Sequence, residues 1–378
     1  MIGRPALTRA RAALAGLVAL GALAVPASGQ ERLRDVELAA GLSIEGYRGN
    51  LNAATVSAVD STESATAAIG ELAGSATVAL LEEEERWLFL SLDGGMRQFA
   101  AGGFQIRDYA PREWVGRSQL AYSQVLGSWV GSAHIDWRGR AVQDRPPMPL
   151  FLQPGFGTGS LGVRLQSNEV DRMTFDLGFD AEWADYSARE FSAPLDLLDR
   201  RTSGVEAGAT WTAGSVVRVS GGFRRSVYPN QATFSAVEPE RRDHTVHAAV
   251  SWSVDRPDVS AEVGLEGTLN RSNSMRPEYD ALAGRALVSV PLPLDVGATV
   301  LAVLTAKRYV SQTDFTLLVP GEEADNASVL YLDLGRPIAL GLDGSVRLGW
   351  TRAEADVGDQ YFQRFGASLQ LRYRPAGF

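Results

Sequence analysis

Residues Met173 to Trp183 read Met-Thr-Phe-Asp-Leu-Gly-Phe-Asp-Ala-Glu-Trp, and this stretch decides the fold. Its odd positions are apolar, and its even positions are polar or small. A period of two places the two sets on opposite faces of a β-strand. Strands of soluble sandwiches run about five or six residues, whereas a tilted strand that crosses a bilayer needs roughly 9–11. The stretch therefore predicts a strand that crosses a membrane.

The same alternation recurs along the chain, and the links between strands alternate in length. It returns in Val205–Trp211, Val246–Trp252, Val259–Glu266 and Val346–Trp350. Short links are predicted near 82–86, 126–128, 167–171, 213–215, 254–258, 291–295 and 339–343, and long links near 49–74, 98–114, 140–157, 187–200, 229–241, 271–277 and 311–326. Only the link near Val357 is short where a longer one is expected. Short periplasmic turns and long extracellular loops are typical of bacterial barrels.

We therefore predict an all-β fold: a closed antiparallel transmembrane β-barrel of about 16 strands. The count falls to 14 if a weak segment such as 77–81 is not a full strand. An even number of strands places both chain ends on the periplasmic side.

Composition agrees with this fold. The chain is 45% hydrophobic, yet its mean hydropathy is close to neutral, because alternation dilutes each apolar residue with a polar neighbour. A net charge of -9 argues against nucleic acid as a partner. The chain has no Cys, which excludes disulfides and thiolate metal sites.

The first residues predict a secretory signal peptide. Three Arg precede an apolar stretch from about Ala12 to Val25, and the small-residue run Pro26–Gly29 follows it. A transmembrane anchor is the alternative, but about 20 apolar residues would be needed. The predicted organisation is a cleaved signal peptide over 1–29, a short periplasmic segment over 30–35 and the barrel over 36–378.

If the apolar set faces lipid, the alternate set lines the lumen. A basic side chain on the lipid face costs about 2–4 kcal/mol at the midplane, which favours the inward assignment. The pore-lining candidates are Asp93, Arg97, Asp136, Arg138, Arg164, Asp176, Asp180, Glu182, Glu206, Arg218, Arg224, Glu262, Glu266, Arg285, Lys307, Asp333, Arg347 and Arg372. The alternative is that these side chains pair across the lumen and only brace the wall.

Trp residues are predicted to form two girdles where the headgroups lie. Trp87, Trp129, Trp211 and Trp252 lie next to short links, whereas Trp114, Trp137, Trp183 and Trp350 lie toward long links.

The third long link combines four Pro with an apolar run, so it is stiff and poorly suited to free exposure. We expect it to fold inward as a constriction, with Asp144, Arg145, Phe151 and Phe156 as candidates. The alternative is a loop that packs on a neighbouring loop or on lipopolysaccharide.

The end of the chain, from Arg364 to Leu371, alternates polar and hydrophobic residues around a Gly. It resembles the C-terminal assembly signal of bacterial outer-membrane β-barrels, porins among them, although seven residues follow Leu371. The residues that carry the signal are Gly366, Leu369, Leu371 and Phe378. The resemblance implies recognition by the barrel-assembly machinery, a place in the outer membrane among its lipid and lipopolysaccharide, and a homotrimer, the common state of 16-stranded porins.

The sequence lacks the residue motifs that an enzyme active site would require. The only His are His134, His244 and His247, with no Ser motif beside them, and no metal-ligand spacing or nucleotide fingerprint occurs. We expect no enzyme activity, no metal and no cofactor. The sequence favours a porin-like channel for passive passage of small polar solutes. The alternative is a non-channel barrel in surface assembly, for polysaccharide or lipoprotein export or as a scaffold in an outer-membrane complex.

Overall fold

The computed structural model describes residues 33–49, 63–102, 110–144, 155–186, 195–233, 237, 239–274, 278–310, 328–354 and 361–375. The predicted signal peptide and the candidates Arg145, Phe151 and Phe378 lie outside these residues.

Sixteen strands form one closed sheet. They are β1 (Leu33–Gly49), β2 (Glu63–Glu82), β3 (Arg86–Gly102), β4 (Arg112–Leu126), β5 (Trp129–Gln143), β6 (Phe156–Ser167), β7 (Met173–Tyr186), β8 (Arg200–Thr212), β9 (Val216–Ala232), β10 (Glu240–Arg256), β11 (Val259–Ser272), β12 (Tyr279–Leu292), β13 (Val296–Tyr309), β14 (Ser328–Ala339), β15 (Leu342–Glu354) and β16 (Tyr361–Tyr373). Each strand pairs with its neighbours in sequence, and β1 closes on β16. The predicted closed all-β barrel of about 16 strands is confirmed.

The barrel closes without a free edge. β1 and β16 pair antiparallel, with Leu38 opposite Tyr373 and Arg48 opposite Gln363. The start of β1 and the end of β16 therefore lie at the same rim. Among the described residues, no helix is long and apolar enough to cross a bilayer.

The two rims differ in the length of their links. One rim carries the connections 83–85, 127–128, 168–172, 213–215, 257–258, 293–295 and 340–341. The other carries 50–62, 103–111, 144–155, 187–199, 233–239, 273–278, 310–327 and 355–360. We call them the short-turn rim and the long-loop rim. The predicted alternation of short and long links is confirmed.

Glycine shapes the tightest turns at the short-turn rim. Gly127 and Gly341 have φ values of 65° and 71°, a region that side chains disfavour. At Gly341 an added Cβ would lie 2.2 Å from the Arg374 carbonyl oxygen. The same backbone receives a hydrogen bond from the Arg374 amide, which ties the end of the chain to the turn.

Alternation sorts the side chains between two environments. On β7, Leu177 is 57% exposed, whereas its neighbour Asp176 is 8% exposed. Leu42 and Ile44 on β1 are also among the most exposed apolar residues. The barrel thus presents its apolar residues outward and holds charge inside, the reverse of a water-soluble domain.

Strand bounds differ from the sequence-based expectation at β1 and β2. β1 begins at Leu33, within the segment predicted to precede the barrel, and β2 begins at Glu63, inside the predicted link 49–74. The first half of β2 is rich in Ala and Gly, so its alternation is weak, yet Ala67 and Ile69 are buried on its inner side. Pairing with β1 and β3 along the whole length stabilises a segment that its own sequence does not mark. The alternative count of 14 strands is wrong.

Candidate functional site on the inner face

All eighteen pore-lining candidates lie on the inner face of their strands. Residues that lie directly opposite each other on neighbouring strands point to the same face, so the inner face can be followed from strand to strand. Examples are the pairs Arg97 with Glu113 and Ser132 with Arg164. These candidates are distributed over β3 to β16, with both signs of charge present.

A charge cluster lies on β1 to β5, toward the long-loop rim. Arg97 Nη2 is 3.1 Å from Glu45 Oε1, and Arg97 Nη1 is 3.3 Å from Glu113 Oε2. Arg140 Nε lies 2.5 Å from the other oxygen of Glu113. Tyr47 donates a hydrogen bond to Glu45. Both carboxylates are buried, and an isolated buried charge is costly, so the members of the cluster depend on one another.

Apolar side chains share this part of the inner face. Phe99 is 1% exposed, and Ile69 and Tyr47 are also buried. The guanidinium carbon of Arg97 lies 5.1 Å from the centroid of the Phe99 ring, a cation–π contact. Apolar side chains and the charge cluster thus pack together at this end of β1 to β3.

A second cluster lies on β7 to β10, nearer the short-turn rim. Arg218 binds Asp176 through two nitrogens, at 2.6 and 3.1 Å, and its Nη2 lies 3.3 Å from Glu206 Oε1. His247 Nε2 lies 3.9 Å from the other Glu206 oxygen. This fork-to-fork geometry fixes the guanidinium against the wall.

Asp136 on β5 has a comparable set of partners. It accepts hydrogen bonds from Arg117 Nη2 at 2.9 Å and from Gln119 at 3.0 Å, and His134 Nε2 lies 3.7 Å away. His134 and His247 thus both lie on the inner face beside carboxylates, whereas His244 faces outward and stacks on Phe223.

The remaining strands carry separate ion pairs across neighbouring strands. They are Glu262 with Arg285 at 2.9 Å, Asp333 with Arg347 at 2.9 Å and Glu37 with Arg372 at 2.8 Å. These pairs account for much of the inner charge and brace the wall.

Some inner charges have no such partner. Within the part of the chain that the structure describes, Arg138, Arg164 and Arg224 make no ion pair, nor do Asp93 and Asp180. Their charges are available to an ion or solute in the lumen.

A hollow against the inner wall spans β7 to β13 and has a volume of about 600 Å³. Its charged lining includes Asp180, Glu182, Glu266, Arg224, Arg285 and Lys307. A hollow of this size with both signs of charge accommodates a hydrated polar molecule and has few apolar contacts to offer.

The ends of the predicted constriction loop are anchored to the wall. Asp144 Oδ2 accepts a hydrogen bond of 2.6 Å from the Ala110 amide. The Phe156 ring faces inward, 6.0 Å from Tyr186 and 5.5 Å from the Arg140 guanidinium. Arg145 and Phe151 lie outside the described residues, so the constriction stays a prediction.

Seven of the eight Trp lie on the outer face: Trp114, Trp129, Trp137, Trp183, Trp211, Trp252 and Trp350. Trp87 does not follow the expectation. It shares the inner face with Asp93, because Leu88 and Leu90 occupy the outer positions of β3.

The predicted assembly residues lie in the closing strand. Leu369 and Leu371 point outward and are exposed, and Gly366 lies on the inner face opposite Glu45. Phe378 lies outside the described residues.

Sequence reasoning missed four inner charges on β1 to β5: Glu45, Glu113 and Arg140 of the charge cluster, and Arg117 beside Asp136. Glu113 and Arg140 fell inside links that were predicted too long, since β4 begins at Arg112 and β5 continues to Gln143. Extending the period of two outward from Asp136 would have placed Arg140 on the inner face. In the described residues, no group of three or more His, Asp or Glu could hold a metal ion.

No protein-family model matches the chain, and no curated protein matches it. Solved structures with a similar fold include a bacterial polysaccharide outer membrane secretin, at 12% identity over 89% of this chain and 98% of the other, with a TM-score of 0.43. Another is OmpF of Salmonella typhi, at 10% identity over 89% and 97%, with a TM-score of 0.43. A third is the TodX deltaS2S3 mutant, a monoaromatic hydrocarbon channel, at 8% identity over 93% of each chain, with a TM-score of 0.41. At these values the similarity concerns barrel architecture alone.

Proposed function

We propose that this chain is a porin-like channel of a bacterial outer membrane, through which small polar solutes pass passively. The observation that carries the proposal is the sorting of side chains: apolar residues cover the outside, and charged residues of both signs line the inside. A closed barrel satisfies all its strand hydrogen bonds internally, which a bilayer requires.

The strand number supports an open path. Eight strands give an interior just wide enough for side chains, whereas 16 strands leave an aqueous channel. The lining of the hollow of about 600 Å³ along β7 to β13 includes many charged and hydroxyl side chains. Solutes that keep their hydration suit such a wall.

The proposal includes a route and an orientation. A cleaved signal peptide exports the chain, and the barrel-assembly machinery inserts it by its last strand. The short-turn rim then faces the periplasm, and the long-loop rim faces outside. The outer Trp form the girdles, and three copies associate as in other 16-stranded porins.

Liposome swelling tests the passage of solutes. Vesicles that contain the folded barrel should swell in isosmotic solutions of small sugars, at rates that fall as the sugar becomes larger. Vesicles with heat-unfolded protein provide the control. Folded, inserted barrels that leave the vesicles impermeable to every sugar would contradict the proposal.

One observation favours a second function, a non-channel barrel that holds a partner for surface assembly. On the inner wall the side chains of Phe99, Ile69 and Tyr47 are buried, which is in keeping with a lumen that is not open over its whole width. A barrel filled around its whole circumference would permit neither swelling nor conductance, and the same vesicles thus decide between the two functions.

A further inference from the structure

Four Arg form a compact patch on the outer face at the long-loop rim: Arg201 on β8, Arg225 on β9, Arg242 on β10 and Arg271 on β11. We call them the basic patch. Arg225 and Arg271 lie on either side of His244, opposite it on both neighbouring strands. Arg201 and Arg242 both lie opposite Val227. Directly opposite residues have Cβ atoms about 5 Å apart, so the four guanidinium groups reach a common ligand.

The basic patch borders an apolar row of the same strands. Val205, Phe223, Val246 and Leu269 lie opposite one another nearer the middle of the barrel, and all four are exposed. The apolar row is two residues from Arg225 and Arg271, about 7 Å along the strand, and four residues from Arg201 and Arg242. The outer face therefore changes from apolar to cationic within two to four residues.

Two cations of the basic patch, Arg201 and Arg225, are available. Arg201 and Arg225 are exposed and, among the described residues, make no ion pair, whereas Arg271 contacts Asp280 at 2.8 Å. Trp183, an outer-face Trp, lies opposite Arg201.

Elsewhere on the outer face of this rim, the described Arg are fewer and occur singly or as one pair. Arg48 and Arg352 both lie opposite Gln363, Arg112 lies beside Gln98, and Arg308 lies opposite Asp280. The concentration of positive charge is a property of β8 to β11 and not of the rim as a whole.

We propose that the basic patch binds the phosphorylated headgroup of a membrane lipid whose acyl chains lie along the apolar row. The inference rests on the proposed insertion into a membrane. Arg suits this role because its planar fork binds phosphate oxygens in pairs. A lipid with two phosphates matches four Arg on adjacent strands better than a zwitterionic headgroup does.

Native mass spectrometry of the detergent-solubilised barrel with bisphosphorylated lipid A tests the site. The double variant Arg201→Gln with Arg225→Gln should bind lipid A about thirtyfold more weakly, because each Arg near an anionic lipid contributes roughly a factor of five. The control Arg48→Gln with Arg352→Gln, on the same rim and face, should bind as the wild type does. Lipid A without its phosphates should bind weakly to all three proteins.

Equal loss in the control, or undiminished binding by the double variant, would overturn the proposal, as would equal binding of dephosphorylated lipid A. Retention of heat-sensitive gel mobility shows that each variant is folded. Conductance in phosphatidylcholine bilayers without lipid A is independent of the basic patch. If the barrel conducts but its lipid binding does not depend on the basic patch, only this inference is contradicted. If the barrel binds lipid A through the basic patch but gives no current, only the proposed channel is contradicted.

Discussion

At the scale of single residues, Glu113 illustrates how the barrel holds charge on its inner wall. Its two oxygens face Arg97 at 3.3 Å and Arg140 at 2.5 Å, and its side chain is 5% exposed. Removing one partner of a buried pair costs more than the pair contributes, because the remaining charge keeps its desolvation cost. One carboxylate here compensates two Arg.

Glu113→Gln should therefore lower the free energy of unfolding by about 3 kcal/mol, since it leaves Arg97 and Arg140 with one carboxylate fewer between them. Urea unfolding in lipid vesicles measures the effect. The matched control is Asp93→Asn, on the same inner face but without an ion pair in the described residues, which should change the value by less than about 0.5 kcal/mol. Equal losses in both variants would show that the ion cluster does not stabilise the wall.

The unpaired inner Arg should determine ion preference more than the paired ones. Reversing Arg138 and Arg224 to Glu leaves the ion pairs intact and makes the lumen more negative, so the reversal potential in a KCl gradient should move toward that of potassium. Arg48→Glu, on the outer face, should leave it unchanged. A reversal potential that stays the same in the double variant would place these two side chains away from the ion path.

At the scale of elements, β7 could be predicted from the sequence, whereas β2 could not. β7 alternates Phe, Leu and Phe with Asp and Gly over its whole length, and lipid on one side with water on the other enforces that pattern. The first half of β2 contains Ala and Gly on both faces, and its structure comes from long pairings with β1 and β3 that a local pattern cannot reveal. The prediction for Trp87 was wrong for a related reason. Leu88 and Leu90 occupy the outer positions of β3, so alternation places Trp87 on the inner face.

The absence of Cys makes the alternation on β7 directly testable. Single Cys substitutions at Leu177, Gly178, Phe179 and Asp180 should react with a water-soluble maleimide in an alternating order, fast at Gly178 and Asp180 and slow at the two apolar positions. The reason is that the even positions lie on the inner face and the odd ones on the outer face, which the proposed insertion places against lipid. Uniform reactivity in intact vesicles would contradict a membrane-embedded strand.

At the scale of the whole molecule, the number of strands and the inner face of each strand could be predicted from the sequence. The pairing of charges inside the lumen could not. Alternation and link lengths predict 16 strands and an inner face, and all eighteen charged candidates lie on that face. The pairing of those charges depends on register between strands far apart in sequence, such as Arg97 with Glu45, and could not be predicted from the local pattern. The proposed channel would have the paired charges brace the wall and the unpaired ones act on a solute.

Single-channel recording in planar bilayers tests the central claim most directly. The purified, folded barrel should insert and produce discrete current steps that rise linearly with voltage, because the proposal requires an open path for ions beside the charged inner wall of β7 to β13. A folded barrel that inserts into the bilayer without any current step would contradict the account and favour a filled barrel that binds a partner.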